Sequence, residues 1–320
     1  TPSGMFSFIK LSIVLSCVHS CFAILLPTPA STARLALLTF DLDDTLFPVK
    51  NVVQDANLAM EKALGCAGFA DASSSRITQH MKTVRKKHKK ILTYSALRKI
   101  AIKAEIELLA RGRSYDTAVI DQVFNAWLQA RHDSAETHLF PGALDVLNQI
   151  KSSYSNLCIG AITNGKGNPL CMQNSLAPFF HFCVSGEDSN VHPQRKPHRG
   201  IFKVALSEYV MRFPYPISDT EIWVHVGDCV ANDVGGSAKM GAYTVLVQID
   251  TLKSELTTNL PFSTASLQES NNRKKLAKKS ISMTDEKITD LSQLPLALNS
   301  ILVKADKISE REFKKKAKRI

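Results

Sequence analysis

Five short apolar runs, separated by segments with helical periodicity, constrain the fold of this chain more than any other feature. The runs are Leu35–Phe40, Leu157–Ile162, Phe182–Val184, Ile222–Val226 and Tyr243–Val247. Short, continuous apolar runs are typical of strands that are buried on both faces, and their alternation with helices favours a parallel sheet covered by helices. We therefore expect an α/β protein with a Rossmann-like, doubly wound parallel sheet.

Residues 52–138 interrupt this alternation, because their apolar residues recur at helical spacing. The clearest series are Ile77, Met81, Val84 and Ile91, then Leu97, Ala101, Ala104 and Leu108, and then Ile120, Val123, Phe124 and Trp127. We expect a helical cap domain inserted after the first strand. Its second helix carries basic residues off the apolar face, which a solvated face or the attraction of an anionic substrate would explain.

The remaining boundaries follow from changes in composition. The predicted α/β core comprises residues 35–51 and 139–250, residues 251–283 are polar and predict a mobile insertion, and residues 284–302 return to the core as a strand edge and a short helix. Residues 303–320 form a predicted basic tail. Residues 271–320 hold +8 of the net charge of +11, so a nucleic-acid-binding protein without catalytic activity is the alternative from another class.

Residues 1–34 have the features of a targeting presequence. A positive charge at Lys10 precedes the mostly apolar stretch Leu11–Val18, and no acidic residue occurs before Asp41. The stretch from Phe22 to Arg34 resembles the second part of the two-part presequence in algae with secondary plastids, which predicts a plastid location. A plain secretory signal is the alternative. The apolar stretch is too short for a stable membrane span.

Three acidic residues follow the first apolar run directly, in the sequence Asp41-Leu42-Asp43-Asp44. Carboxylates at the carboxyl end of a strand face the crevice in which open α/β sheets bind their ligands. So many neighbouring acids repel one another unless a cation offsets their charge, and Mg²⁺ accepts both carboxylate and phosphate oxygens. The sequence therefore predicts a magnesium site, with an acidic turn or helix cap as the alternative.

Polar residues also follow two other runs. Asp228 and Asp233 come after the fourth run, where Asp233 is also placed to cap a helix. Thr163, Asn164 and Gly165 end the second run and offer a hydroxyl and backbone N–H groups to a phosphate. In addition, Lys196-Pro197 precedes a helical segment, and a lysine among carboxylates supplies a positive charge for a phosphoryl group.

These four segments, in this order, resemble the haloacid dehalogenase superfamily of phosphotransferases with an aspartate nucleophile, over about residues 35–249. The resemblance implies that Asp41 is the nucleophile that forms an aspartyl-phosphate. It implies that Asp43 first protonates the leaving oxygen and then activates water. Dehalogenases lack an acid at this second position, so Asp43 favours hydrolysis of phosphate esters.

The same resemblance assigns the other roles. Thr163 and Lys196 would hold the phosphoryl oxygens, and Mg²⁺ would be bound by Asp41, the Asp43 carbonyl and Asp228, with Asp233 near. The link before the lysine departs from the family pattern: relatives have a short link that contains glycine, whereas residues 186–195 are longer and lack the later glycine.

The sequence around these motifs is also similar to the bacterial phosphatases of flavin mononucleotide and of the riboflavin-pathway intermediate 5-amino-6-(5-phosphoribitylamino)uracil. This similarity implies a small phosphorylated metabolite as substrate, bound with the help of Asn164 and Gly165. In the cap, Tyr94 and Arg98 begin a helix and are candidates to stack on a ring and to hydrogen-bond a polyol. Packing of Tyr94 within the cap and solvation of Arg98 is the alternative. A nucleotidase or a sugar-phosphate phosphatase is the alternative function.

Overall fold

The computed structural model describes residues 33–88, 92–213, 217–218, 220–249 and 267–317. The predicted presequence lies almost entirely outside these described residues, so the plastid and secretory interpretations stay predictions. These ranges contain no helix with the length and the apolar composition that crossing a membrane requires.

Six parallel strands form one sheet in the described residues, in the order β3-β2-β1-β4-β5-β6. They are β1 (Arg34–Phe40), β2 (Cys158–Thr163), β3 (Phe182–Ser185), β4 (Glu221–Gly227), β5 (Tyr243–Val247) and β6 (Glu286–Ile288). Strand β1 is central, and Phe40 lies opposite both Ala161 of β2 and Val226 of β4. The carboxyl ends of these three strands therefore meet where the strand order reverses, as predicted for a doubly wound sheet.

Helices cover both faces of the sheet. On one face, α5 (Ala143–Ser153) and the last helix pack on Phe40 and Val224; on the other, α6 (Arg199–Arg212) packs on Leu37 and Trp223. After β4 the chain forms a π-helical turn (Val230–Val234), the one-turn helix α7 (Gly235–Ser237) and a 3-10 turn (Ala238–Met240). A register shift between Leu35 and Leu37 places Ala36 and Leu37 toward the same face.

The insert after β1 is helical, as predicted, and has a hydrophobic core of its own. Its helices are α1 (Val49–Cys66), α2 (Ser74–Lys87), α3 (Tyr94–Ala110) and α4 (Ala118–Thr137). The predicted apolar series on α3 is wrong at its end, because Leu108 is 55% exposed. The buried face instead includes Ile106 and Glu105, whose carboxylate pairs with Arg76 and His80 of α2. Since α3 is apolar on several sides, its partner helices decide which side is buried.

The C-terminal region differs from the prediction. Residues 267–283 were expected to be part of a mobile insertion, but Leu267–Ser280 form helix α8, and the buried Ser280 side chain lies against Gly235. The last helix, α9, spans Leu294–Ala317, so residues 303–317 continue a helix and do not begin a separate tail. Ala305 is still buried against the core. Helix α8 and residues 303–317 are both poor in apolar residues, and their contacts with Gly235 and with the core come from distant parts of the chain.

Candidate active site

The carboxyl ends of β1, β2 and β4 open into a cavity of about 510 Å³ between the core and the cap. Nine of the ten residues that the sequence assigned to the site line this cavity: Asp41, Asp43, Tyr94, Arg98, Thr163, Asn164, Gly165, Lys196 and Asp228. The tenth, Asp233, is almost completely buried beside Lys196. The structure thus brings together residues that lie far apart in the sequence.

Three carboxylates cluster at the floor of the cavity, and two of them, Asp41 and Asp228, line it. Asp41, Asp228 and Asp233 each offer an oxygen, and these oxygens lie within 4.8 Å of one another. Burial, together with the neighbouring carboxylates, raises the pKa of Asp41 to about 7 and raises the pKa of Asp228 well above its usual value. Such a cluster of oxygen donors with an excess of negative charge fits a divalent cation such as Mg²⁺, which would favour the ionised carboxylates.

Lys196 lies between two of these carboxylates. Its Nζ atom is 2.7 Å from Asp41 Oδ1 and 2.7 Å from Asp233 Oδ1. Burial by itself lowers the pKa of an ammonium group, but the two carboxylates outweigh it and raise the pKa of Lys196. Burial would raise the pKa of Asp233, yet Lys196 and His225 lower it to about 2. The ion pairs therefore keep Lys196 and Asp233 charged.

The long link before Lys196 folds into consecutive turns, which compensates for its length. The Ser185 N–H donates to the side chain of Asp188, and the N–H groups of Val191 and His192 both donate to the Asp188 carbonyl. The side-chain amide of Asn164 then donates to the Lys196 carbonyl at 3.0 Å. The departure from the family pattern thus leaves Lys196 at the cavity, where the sequence had placed it.

A buried chain of hydrogen bonds orients Asp233 from behind. Trp223 Nε1 donates to Thr39 Oγ1 at 2.8 Å, and the Thr39 hydroxyl lies 2.8 Å from His225 Nδ1. Because the ionised Asp233 carboxylate can only accept, a neutral His225 ring donates from Nε2 to Asp233 Oδ1 at 3.3 Å, and its Nδ1 then accepts from the Thr39 hydroxyl. Burial lowers the pKa of His225, which agrees with a neutral ring. His225 was not among the site residues predicted from the sequence.

The loop after β1 separates the roles of its three acidic residues. Asp44 has a left-handed backbone conformation, with φ of 59°, and its carboxylate accepts a 2.9 Å hydrogen bond from the Val49 N–H at the start of α1. This contact satisfies one of the unpaired N–H groups at the start of a helix. Asp44 thus has the helix-capping role that was the alternative for the acidic motif, although it also lines the cavity together with Asp41 and Asp43.

Asp43 contacts a residue that the sequence interpretation missed. Arg131 on α4 is 4% exposed, and its Nη2 atom lies 2.6 Å from Asp43 Oδ1 and 2.9 Å from Oδ2. A sequence signal exists, because Arg131 follows Trp127 by four residues and therefore lies on the apolar face of the helix. A charged residue on such a face needs a buried partner.

The turn that the sequence predicted to bind phosphate follows the second strand. Thr163 is buried at the end of β2, and its hydroxyl oxygen accepts a 3.1 Å hydrogen bond from the Gly165 N–H. Asn164 and Gly165 line the cavity next to Asp43. The turn therefore holds backbone and hydroxyl groups at the edge of the carboxylate floor, where they are available to an anionic group.

The cap forms the opposite wall of the cavity. The Arg98 guanidinium lies 3.9 Å from the centre of the Trp127 ring, and Trp127 Nε1 donates to Asn57 Oδ1 at 3.1 Å. Tyr94 lies beneath the guanidinium of Arg195, at 4.8 Å. Burial, and then the charge of Arg131, lower the pKa of Arg98 to about 9. Arg98 is therefore packed against an aromatic ring, in contrast to the solvated alternative.

Glu187 completes this wall and was also missed from the sequence. It follows β3, and one carboxylate oxygen accepts a 3.1 Å hydrogen bond from the Ser95 N–H at the start of α3. The other oxygen, Oε1, is buried and has no hydrogen-bond partner among the residues that the structure describes. The wall thus combines aromatic rings with charged groups of both signs.

The fold and these residues define a hydrolase of the haloacid dehalogenase type. A family model described as haloacid dehalogenase-like hydrolase matches residues 35–241, and because this match covers most of the chain, the chain belongs to that family. The predicted superfamily and the predicted fold are confirmed.

Two known phosphatases are similar in sequence. A glyceraldehyde 3-phosphate phosphatase from Methanopyrus kandleri is 27% identical over 65% of this chain and 82% of its own length. The 5-amino-6-(5-phospho-D-ribitylamino)uracil phosphatase YigB from Escherichia coli is 26% identical over 65% of this chain and 81% of its own length. Both relatives have the enzyme class that the sequence predicted.

Among solved structures, a 2-haloacid dehalogenase from Pseudomonas syringae pv. tomato has the same fold. It is 22% identical, with a TM-score of 0.56, over 83% of this chain and 99% of its own length.

Proposed function

We propose that the chain is a magnesium-dependent phosphomonoesterase that works through an aspartyl-phosphate at Asp41. The observation that carries the proposal is the position of Asp41, which lies 2.7 Å from Lys196 at the end of β1, with Asp43 two residues further and facing the same cavity. The site therefore places a nucleophile (Asp41) next to a proton-transfer group (Asp43) and to a positively charged side chain for the phosphoryl oxygens (Lys196), as phosphoryl transfer requires.

The reaction has two displacements at phosphorus. In the first, a carboxylate oxygen of Asp41 attacks phosphorus, the ester P–O bond breaks, and Asp43 gives a proton to the leaving oxygen. In the second, Asp43 takes a proton from water, the water oxygen attacks phosphorus, and inorganic phosphate leaves with the Asp41 carboxylate restored. Lys196, the Thr163 hydroxyl and the backbone of the turn stabilise the phosphoryl oxygens in both steps.

The cation would be held by Asp41 and Asp228, with the Asp43 carbonyl completing the site by resemblance to the family. Asp233 belongs to the same cluster and also holds Lys196. When bound, Mg²⁺ offsets the negative charge of the carboxylates and of the phosphate so that two anions can approach each other. The charge excess on the floor of the cavity supports this part of the proposal.

For the substrate, we propose a ribityl phosphate of the flavin type. The similarity to YigB supports this choice, and so does the cap wall, where Trp127, Phe124 and Tyr94 offer aromatic surfaces for a ring and Glu187 and Arg98 offer polar groups for hydroxyls. A cavity of about 510 Å³ is within the size range of pockets that enclose ring-containing ligands. The second candidate is a small sugar phosphate, which the other relative favours.

The decisive experiment measures phosphate release from a panel of phosphomonoesters with and without Mg²⁺. We expect Asp41→Asn to abolish turnover, because an amide is not a nucleophile for phosphorus. Asp121→Asn is the control, since Asp121 is exposed on the cap in a surface ion pair with Lys99. Trapping of labelled phosphate on the wild-type chain, and its absence from Asp41→Asn, would identify the intermediate. Full turnover in Asp41→Asn would refute the proposal.

A further inference from the structure

The contact between Arg131 and Asp43 joins the cap to the catalytic loop. The Arg131 side chain is 4% exposed and that of Asp43 is 28% exposed, and one guanidinium nitrogen contacts both carboxylate oxygens. Burial of a guanidinium group is costly unless a carboxylate offsets its charge. The position of each side chain therefore depends on the other.

The glycine-rich turn after β2 leaves space for this pair. A Cβ atom on Gly167 would lie 3.2 Å from Arg131 Nη2, and one on Gly165 would lie 3.7 Å from the same nitrogen and 3.6 Å from Asp43 Oδ2. The contact at Gly167 would be tighter than an ordinary van der Waals contact. The turn is thus shaped for the guanidinium group as well as for a phosphate.

The end of α4 that carries Arg131 is attached to the core. His132 Nε2 accepts a hydrogen bond from the Asn168 N–H at 3.3 Å, and Glu136 accepts from the Asn174 N–H at 2.9 Å. The Arg131 side chain therefore extends from a backbone that is held on the core.

We infer that Arg131 is a positioning residue that fixes the carboxylate of Asp43 for its proton transfers. The inference rests on the proposed function, in which Asp43 must place an oxygen within hydrogen-bond distance of the leaving group. The two contacts to one guanidinium restrict rotation of the carboxylate about its side-chain bonds. Arg131 therefore acts through Asp43, and a direct contact of Arg131 with the phosphoryl group is the competing role.

The two roles differ in how they depend on the leaving group. Protonation by Asp43 matters most for a poor leaving group, such as the alkoxide of benzyl phosphate, and least for the stable anion released from p-nitrophenyl phosphate. We expect Arg131→Met to lower kcat/KM at least about tenfold more for benzyl phosphate than for p-nitrophenyl phosphate. Asp43→Asn should show the same selectivity, and adding Arg131→Met to it should change little further.

Two further variants complete the test. Arg113→Met is the matched control, because Arg113 is exposed on the cap and bonds only to the nearby Ala110 carbonyl among the contacts described. Gly167→Ala crowds the guanidinium without removing it, and we expect the same leaving-group selectivity from it, at a thermal midpoint close to that of the wild type. It keeps the question answerable if Arg131→Met does not fold.

The outcomes separate this inference from the proposed function. An equal loss for both substrates, or an undiminished effect of Arg131→Met in the Asp43→Asn background, would mean that Arg131 binds the phosphoryl group and would overturn the inference alone. If the wild-type protein has no turnover, or if Asp41→Asn leaves its turnover unchanged, the proposed function is overturned, and the inference with it.

Discussion

Lys196 and Asp233 form an ion pair of 2.7 Å in which both side chains are almost completely buried. Asp233 also accepts a hydrogen bond from the Cys229 N–H at 3.0 Å, so its carboxylate is held by the loop after β4. The lysine is thereby directed toward Asp41, although it comes from a separate and lengthened loop. A contact between two loops thus sets the electrostatics around Asp41.

Replacing this lysine tests the arrangement. Lys196→Met removes the ammonium group that pairs with the buried carboxylates of Asp41 and Asp233. We expect the free energy of unfolding to fall by about 3–5 kcal/mol. Turnover should fall as well, because the phosphoryl oxygens lose a positive partner. Urea denaturation at neutral pH measures the first effect. Lys203→Met on the exposed side of α6 is the control and should change stability by less than about 0.5 kcal/mol. Equal midpoints for both variants would contradict the prediction.

The second prediction concerns the exit from β4. A Cβ atom on Gly227 would lie 2.4 Å from Asp233 Cγ, so Gly227→Ala must displace the carboxylate from Lys196 and from the Cys229 N–H. We expect a loss of about 1–3 kcal/mol in stability, together with a loss of turnover. Gly65→Ala is the matched control, because nothing lies within 4 Å of its added Cβ inside α1. It should stabilise the protein by about 0.5–1 kcal/mol, since alanine favours helices. A Gly227→Ala protein with wild-type turnover would contradict the proposed geometry.

The residues at the ends of the strands were predictable because each belongs to a local pattern, an apolar run followed at once by polar residues. Parallel strands bring such ends together, so the pattern alone is enough to predict that Asp41, Thr163 and Asp228 line one cavity. Lys196 was predictable for another reason, which is the Lys-Pro pair before a helix. The link before it is longer than in the family pattern, but Lys196 still lies at the cavity.

Arg131 and Glu187 were not predictable in this way, because their roles depend on how the cap packs on the core. Arg131 meets Asp43, and Glu187 meets Ser95, across a boundary between segments far apart in the sequence. Helix α8 was missed for a related reason: its composition is that of a solvated segment, and its contact with Gly235 is visible only in the folded chain. Local sequence patterns predict local structure, whereas the roles of these residues depend on packing between segments that are distant in the sequence.

The third prediction tests the proposed metal site by thermal stability. Without a cation, the carboxylates of Asp41, Asp228 and Asp233 repel one another, so Mg²⁺ should raise the thermal midpoint of the wild type. Asp228→Asn should be more stable than the wild type in a chelator, because one of the repelling charges is gone, and it should lose the response to Mg²⁺. Asp121→Asn should respond as the wild type does. A midpoint that Mg²⁺ leaves unchanged in every variant would contradict the site.

The fourth prediction concerns the cap wall. Arg98→Ala removes the guanidinium that lies on Trp127, and we expect kcat/KM for flavin mononucleotide to fall while p-nitrophenyl phosphate is hydrolysed as before. Lys103→Ala is the control on the same helix, because its side chain is 54% exposed in a surface ion pair with Glu107. A wild-type preference for a nucleoside monophosphate or a sugar phosphate of about tenfold, or about 1.4 kcal/mol in the transition state, would contradict the flavin-type substrate. It would leave the phosphatase reaction standing.

The last prediction addresses the C-terminal helix, which lies beyond the residues that match the family model. Leu298 of α9 is completely buried in the cluster that includes Ile150 and Ile288, whereas Leu296, two residues earlier, is 70% exposed. Leu298→Ala should therefore lower the free energy of unfolding by about 2–5 kcal/mol, through lost burial and the cavity left behind. Leu296→Ala removes the same atoms from a solvated position and should cost less than about 0.5 kcal/mol. Chemical denaturation of the two variants tests whether α9 belongs to the hydrophobic core. Similar unfolding midpoints would mean that it does not. A large difference means that the folded unit includes residues well past 241.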